Sequence, residues 1–284
     1  MNRQRQISWL LVLVALLVAG GAWQWRHAHS ADAGGVAIGG GDGGGLPRAG
    51  AAAEGFDPRA FQTAVDWAAK QRGGALLVLR HGHLLAENYT GDVLATSLVD
   101  GGGLSDALLL LAAGIAVPQH GLVMPTEEPF DSAQLSAAIA TASGRSFPQF
   151  LSRNIWQPLN AASARWSEPD VRARAVDWLR VGELLLHDGR FEDTQVVPPG
   201  WAQRLHLSRT APGAEPFADA GMYYLRGHGA TRLWLSPRFE LAILSVADHA
   251  NATDETRLPN MIVRALRERP GVSGTSLNDL VPGH

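Results

Sequence analysis

The chain contains no cysteine and a single lysine, Lys70, among its 284 residues. Without cysteine it forms no disulfide, so the cysteine content does not indicate whether the protein resides in an oxidising compartment. Trp67 stands three residues before Lys70, and the chain therefore has no Ser-x-x-Lys sequence. The formal net charge of −3 provides no strongly basic surface, and we expect no nucleic-acid partner.

The first 30 residues have the pattern of a membrane anchor. Arg3 and Arg5 form a short basic head, and an apolar run follows from Ile7 to Trp23. About 17 residues at roughly 1.5 Å each approach the thickness of a bilayer. The basic head places the amino end in the cytoplasm and the body on the periplasmic or extracellular side of the inner membrane. The alternative is a cleaved signal peptide with Ala31-Asp32-Ala33 as the cleavage site, which would release the body into the periplasm.

Residues 31–55 contain ten glycines. Such a segment lacks the apolar surface needed to order itself, and we predict a flexible linker with a reach of roughly 25–30 Å. The folded domain is predicted over residues 56–269, followed by a loose tail at 270–284.

Within the domain, the predicted order is one helix, two strands, a helical middle part, further strands and a last helix. Asp57 and Pro58 are typical of a helix start, and Ser146 with Gln149 forms a capping box. The strand patterns lie near both ends of the domain, which predicts an α+β fold with one antiparallel sheet built from both chain ends, flanking helices and a helical lobe. The predicted helices cover 58–72, 104–117, 133–142, 147–156, 174–186 and 259–269, and the predicted strands 75–79, 84–86, 94–99, 231–235 and 241–246.

Three stretches resemble the beta-lactamase-related serine hydrolases, which include class C beta-lactamases, DD-peptidases and 6-aminohexanoate-dimer hydrolases. Gly114-Ile115-Ala116-Val117 with Gly121-Leu122 resembles the end of the helix that carries the nucleophile. Residues 150–159, Phe-Leu-Ser-Arg-Asn-Ile-Trp-Gln-Pro-Leu, resemble a scaffold segment of the family. Residues 176–186 and the following Gly189-Arg190, Val196-Val197-Pro198 and Trp201 resemble a late helical hairpin of the aminohexanoate-hydrolase branch. The resemblance implies the beta-lactamase/transpeptidase-like fold.

The resemblance also implies where the catalytic residues should stand. The serine of the family's Ser-x-x-Lys motif falls on Gly103 and its lysine on Asp106. Glu127–Gln134, where a Tyr-x-Asn motif is expected, contains neither tyrosine nor asparagine. Gly227-His228-Gly229 matches the third motif, and His228 is the one residue there able to contact a ligand carboxylate. A glycine cannot attack and an ionised aspartate cannot replace a neutral amine.

Two other constellations are open alternatives. Ser105, in Gly103-Leu104-Ser105-Asp106-Ala107, imitates a nucleophile elbow, although a helix-capping role for Ser105 or Asp106 explains the same residues. His81 and His83 can be a metal pair or part of a tight hairpin turn. We expect no cofactor and no metal.

From the sequence we expect a membrane-tethered, non-catalytic protein on a serine-hydrolase fold, with a residual cleft for a peptide or small molecule. The alternatives are an amide or ester hydrolase that uses Ser105, with a histidine such as His228, and a structural module that binds other proteins.

Overall fold

The computed structural model describes residues 34–70, 73–124, 131–205, 215–247 and 255–267. The predicted anchor or signal segment at 1–30 and the predicted tail at 270–284 lie outside these residues. No helix among the described residues is long and apolar enough to cross a membrane.

An antiparallel sheet of five strands, in the order β3-β2-β11-β10-β9, forms the centre of the molecule. Its strands come from both ends of the domain, as predicted. They are β2 (Gly73–Arg80), β3 (His83–Tyr89), β9 (Tyr223–Arg226), β10 (Arg232–Ser236) and β11 (Leu241–Ala247).

Each face of this sheet is covered by its own hydrophobic core. On one face Leu76, Val78 and Ile243 pack against residues of α1 (Pro58–Lys70) and α6 (Arg257–Arg264). On the other face Leu77 and Leu79 pack against the helical lobe. Adjacent residues of β2 therefore serve opposite cores, which is the alternation expected of a strand. The lobe contains α2 (Gly103–His120), α3 (Ser132–Ser143), α4 (Phe147–Leu151) and α5 (Ala175–Leu186). The α+β prediction is confirmed.

Several helix boundaries follow the predicted caps. Asp57 Oδ1 accepts hydrogen bonds from the backbone N–H groups of Arg59 and Ala60 at 3.0 and 2.9 Å. The capping box of Ser146 and Gln149 is formed. The helix that it starts changes from α-helix to π-helix over Ser152–Trp156. The last helix ends at Arg264, before the predicted end at 269.

A second sheet of four strands, in the order β1-β5-β6-β4, was not predicted. It consists of β1 (Val36–Ile38), β4 (Leu98–Asp100), β5 (Ala164–Ser167) and β6 (Asp170–Arg174). β4 is shorter than the predicted strand at 94–99. A two-stranded ribbon, β7 (Arg190–Phe191) and β8 (Thr194–Gln195), follows α5, and short 3₁₀ turns occupy Ala202–Arg204 and Pro237–Phe239.

The predicted flexible linker is wrong for its described part, residues 34–55, which we call the strap. β1 lies in the strap and pairs antiparallel with β5. Further along the strap, Arg48 forms an isolated parallel β-bridge with Leu84 of β3. Phe56, the residue that follows the strap, is fully buried in the core. The strap is therefore part of the folded body, and Gly35, Gly40 and Gly41 lie in close contact with other segments.

Candidate functional site

The position predicted for the nucleophile lies where two backbone segments touch. β4 ends at Asp100, Gly101 and Gly102 follow it, and α2 starts at Gly103. A Cβ atom added to Gly103 would lie less than 3.0 Å from the carbonyl oxygen of Arg226, a distance that real Cβ atoms essentially never show. A Cβ on Gly102 would lie 2.6 Å from the backbone nitrogen of His228, and Gly102 also has a positive φ of 53°. The packing at Gly103 therefore leaves no space for a serine side chain.

Asp106, the position predicted for the family's lysine, lies in the first turn of α2. Its side chain is exposed, and Oδ1 accepts a hydrogen bond from Ser132 Oγ at 2.6 Å. Ser132 is the first residue of α3 and lies in the region where the tyrosine motif was expected. Residues 127–130 of that region lie outside the described part of the chain. A hydroxyl and a carboxylate therefore meet at this point, and neither is the amine base of Ser-x-x-Lys chemistry.

Ser105 is buried, with 3% of its surface exposed. Its hydroxyl donates a short hydrogen bond to Asp170 Oδ1 and accepts one from the backbone N–H of Val171 at 2.9 Å. Asp170 also accepts from the N–H of Gly102 at 2.9 Å, so its carboxylate holds the residue that precedes α2. Burial raises the pKa of Asp170 above its ordinary value, although the bonds from Ser105 and Gly102 oppose the increase. These bonds join α2 to β6, and the Ser105 hydroxyl is engaged on both sides in a buried position.

His228 is exposed on the loop between β9 and β10. Its carbonyl accepts from Thr231 N at 3.0 Å, and Ala230 N donates to Ala247 O at 3.0 Å, so the loop is a tight backbone turn. The structure brings the backbone of His228 against Gly102. It does not pair the imidazole with Ser105, whose hydroxyl is engaged with Asp170 and Val171 of β6.

Asp170 is the site residue that the sequence interpretation missed. It begins β6, which forms a hairpin with β5, and in the same sheet Asp100 of β4 forms a 2.6 Å ion pair with Arg172. The alternation of apolar and polar residues in Ala164–Ser167 and Asp170–Arg174, separated by Glu168-Pro169, is a hairpin pattern that indicates the two strands but not the contact of Asp170 with Ser105.

His81 and His83 flank the turn between β2 and β3. Their Nδ1 atoms lie 2.7 and 3.1 Å from the two carboxylate oxygens of Glu54. Within residues 34–70, 73–124, 131–205, 215–247 and 255–267, no group of three or more His, Cys, Asp or Glu residues is arranged to hold a metal ion. Both histidines are therefore contacts of a hairpin turn with the strap.

Solved structures confirm the fold. A putative 6-aminohexanoate-dimer hydrolase from Bacillus anthracis matches with a TM-score of 0.62 at 14% identity, over 85% of this chain and 93% of its own. A putative beta-lactamase from Bacteroides dorei matches with a TM-score of 0.57 at 12% identity, over 75% of this chain and 100% of its own. A beta-lactamase from Mycobacterium bovis matches with a TM-score of 0.54 at 14% identity, over 73% and 98% of the two chains.

No protein-family profile and no curated protein sequence matches the chain. The matches to solved structures nevertheless show that the chain has the beta-lactamase/transpeptidase-like fold. At these identities the similarity establishes the fold and not the activity.

Proposed function

We propose that this protein is a non-catalytic member of the beta-lactamase/transpeptidase-like fold, tethered to the outer face of the inner membrane. The observation that carries the proposal is the contact of Gly102 and Gly103 with the segment Arg226–His228. In this fold the nucleophile would stand at Gly103, and backbone atoms occupy the space that its side chain needs. Removal of a serine nucleophile costs on the order of 10⁶ in turnover.

The remaining catalytic positions support the same conclusion. Asp106 accepts a hydrogen bond from Ser132, and a carboxylate cannot serve as the neutral amine base of this chemistry. Ser105 has a nucleophilic group, but its hydroxyl is buried and engaged on both sides. A hydrolase that uses Ser105 with His228 would require the two side chains to meet, and the contacts of Ser105 lie on β6.

The membrane part of the proposal rests on the sequence of residues 1–30. The basic head and the apolar run Ile7–Trp23 favour an anchor with the body outside the cytoplasm. A body without catalytic groups, held at a membrane surface, is suited to binding.

Ligand binding at the loop that carries His228, between β9 and β10, is a second candidate function. His228 is exposed there, and an imidazole can contact a ligand carboxylate. A peptide with a free carboxyl end is the fitting probe. Nuclear magnetic resonance shifts that saturate in the unmodified chain and vanish in His228→Gln would support this role, and shifts that persist in the variant would refute it.

A turnover assay tests the non-catalytic proposal. The purified full chain should hydrolyse p-nitrophenyl acetate, a chromogenic cephalosporin and the linear 6-aminohexanoate dimer no faster than its Ser105→Ala variant does. Turnover in the unmodified chain that disappears in Ser105→Ala would contradict the proposal and support the rearranged hydrolase.

A further inference from the structure

The strap is attached to the body from its first described residue. Ser167 Oγ of β5 donates to the carbonyl of Gly34 at 3.0 Å. β1 then pairs with β5, with Val36 opposite Trp166. Ser152 Oγ donates to Gly39 O at 2.7 Å. The chain is therefore fixed on the body from residue 34 onward.

The glycines of the strap permit this attachment because they let two backbones approach. A Cβ on Gly35 would lie 2.7 Å from the carbonyl oxygen of Trp166, and one on Gly40 would lie 2.7 Å from Ser163 N. Glycine is the residue that allows such an approach of one backbone to another. Gly45, in contrast, has no neighbour within 4 Å of such an atom.

Buried charges hold the middle of the strap. Asp177 of α5 is fully buried and pairs with Arg174 at 2.8 Å and with Arg180 at 2.5 Å. The two guanidinium groups donate in turn to the carbonyl oxygens of Gly43 and Gly44. Detaching the strap would leave these charges without their carbonyl partners in a buried site, which is unfavourable.

A fixed strap shortens the link between the proposed anchor and the body. The apolar run ends at Trp23, so ten residues, 24–33, connect it to Gly34. Ten residues span at most about 35 Å, and about 17 Å on average for a flexible chain. A body of this size is roughly 45 Å across. The link is shorter than the body, so the side of the body that carries Gly34 must lie near the membrane.

We infer that the β1 edge of the four-stranded sheet, with Val36 and its surroundings, contacts the lipid surface of the membrane in which residues 7–23 are anchored. This inference rests on the proposed anchoring. Val36 is an apolar side chain that is 59% exposed on this edge strand, and burial against lipid would remove it from water.

The charges around this edge suit a lipid surface with anionic headgroups. Arg165 lies opposite Ala37 in the β1–β5 pair. Arg145 and Arg153 are exposed and flank α4, which contacts β1. Exposed Asp42 and Glu168 reduce the positive charge without cancelling it. Arginines close to an anionic leaflet are attracted to it.

The absence of cysteine allows a direct test. The full chain would carry a single fluorophore at Val36→Cys or at Ala69→Cys, in vesicles of phosphatidylcholine with phosphatidylglycerol. Ala69 is exposed on α1, across the five-stranded sheet from the helical lobe. A headgroup-labelled quencher lipid should quench the fluorophore at position 36 several-fold more than the one at position 69. Equal quenching at the two positions would overturn the inference.

Two further outcomes separate the inference from the anchoring on which it rests. Failure of the chain to float with the vesicles would refute the anchor and the orientation together, whereas flotation with equal quenching refutes only the orientation. Gly40→Ala should lift the strap, lengthen the link and reduce the difference in quenching, whereas Gly45→Ala should preserve it. An unchanged difference in Gly40→Ala would also overturn the role of the strap.

Discussion

Gly103→Ser should destabilise the folded body, because the new side chain has no space at the start of α2. The added Cβ would lie less than 3.0 Å from the carbonyl oxygen of Arg226, which belongs to β9 and cannot rotate away. Overpacking of this kind costs about 1–3 kcal/mol. Gly103 is the first residue of α2, so the gain from replacing a glycine in the middle of a helix does not apply there, and we expect a loss of about 1–3 kcal/mol.

Urea unfolding followed by circular dichroism measures this loss. For a domain of this size 1 kcal/mol corresponds to roughly 2–4 °C in Tm, so a thermal scan should show a decrease of about 2–12 °C. Gly45→Ser is the matched control, because no atom lies within 4 Å of a Cβ at that position. The control should match the unmodified protein within about 0.5 kcal/mol.

A Gly103→Ser variant as stable as the Gly45→Ser control would refute the closed packing. The same reasoning predicts that Gly103→Ser combined with Asp106→Lys does not restore acylation by a penicillin, because the contact with Arg226 occupies the site. Stoichiometric acylation of that double variant would show that the site is open and that only its two side chains had been lost.

Three other substitutions test the contacts of the site and the strap. Ser105→Ala removes a buried hydroxyl that forms hydrogen bonds with β6 and should lower the free energy of unfolding in urea by about 1–3 kcal/mol. An unchanged free energy of unfolding would show that these hydrogen bonds do not stabilise the fold. Asp177→Asn breaks the buried pair with two arginines and should cost about 3–5 kcal/mol, whereas Asp66→Asn on the exposed face of α1 should cost less than about 0.5 kcal/mol. Burial raises the pKa of Glu183 above its ordinary value of 4.5, so its unfavourable effect on folding is absent below that pH and grows as pH rises through the folded-state pKa. Glu183→Gln should therefore be more stable relative to the unmodified protein near neutral pH than near pH 4; the same gain in Asp92→Asn, at an exposed carboxylate that does not act on Glu183, would contradict a role for burial.

Local sequence patterns predicted the elements whose stability is local. Asp57 and the Ser146–Gln149 pair mark helix starts through side chains that bond the backbone within three residues. The apolar run from Leu76 to Leu79 predicted a central strand because strands buried on both faces have continuous apolar sequences. Both kinds of prediction are confirmed.

The strap was predicted wrongly because glycine has two structural uses. The runs Gly39-Gly40-Gly41 and Gly43-Gly44-Gly45 indicated flexibility by composition alone. In the structure Gly40 allows the close approach of a second backbone, and Arg174 and Arg180 supply hydrogen bonds that the segment itself lacks. These partners lie more than a hundred residues away, so a local pattern cannot reveal them.

Most residues of the candidate site could be predicted from the sequence, but their contacts with distant segments could not. The resemblance located Gly103 and Asp106, and the structure places both at the start of α2. Sequence did not indicate that Ser105 bonds Asp170 or that Gly103 touches Arg226. Both facts depend on how β6 and β9 pack against α2, which is a property of the tertiary structure.

Covalent labelling of the full chain tests the non-catalytic account most directly. The purified protein would be incubated with a fluorophosphonate and with a penicillin, and its intact mass measured by mass spectrometry. Because Gly103 has no nucleophile and the Ser105 hydroxyl is buried between Asp170 and Val171, the account predicts an unchanged mass with both reagents. One adduct per chain, mapped to Ser105 and absent from Ser105→Ala, would contradict it.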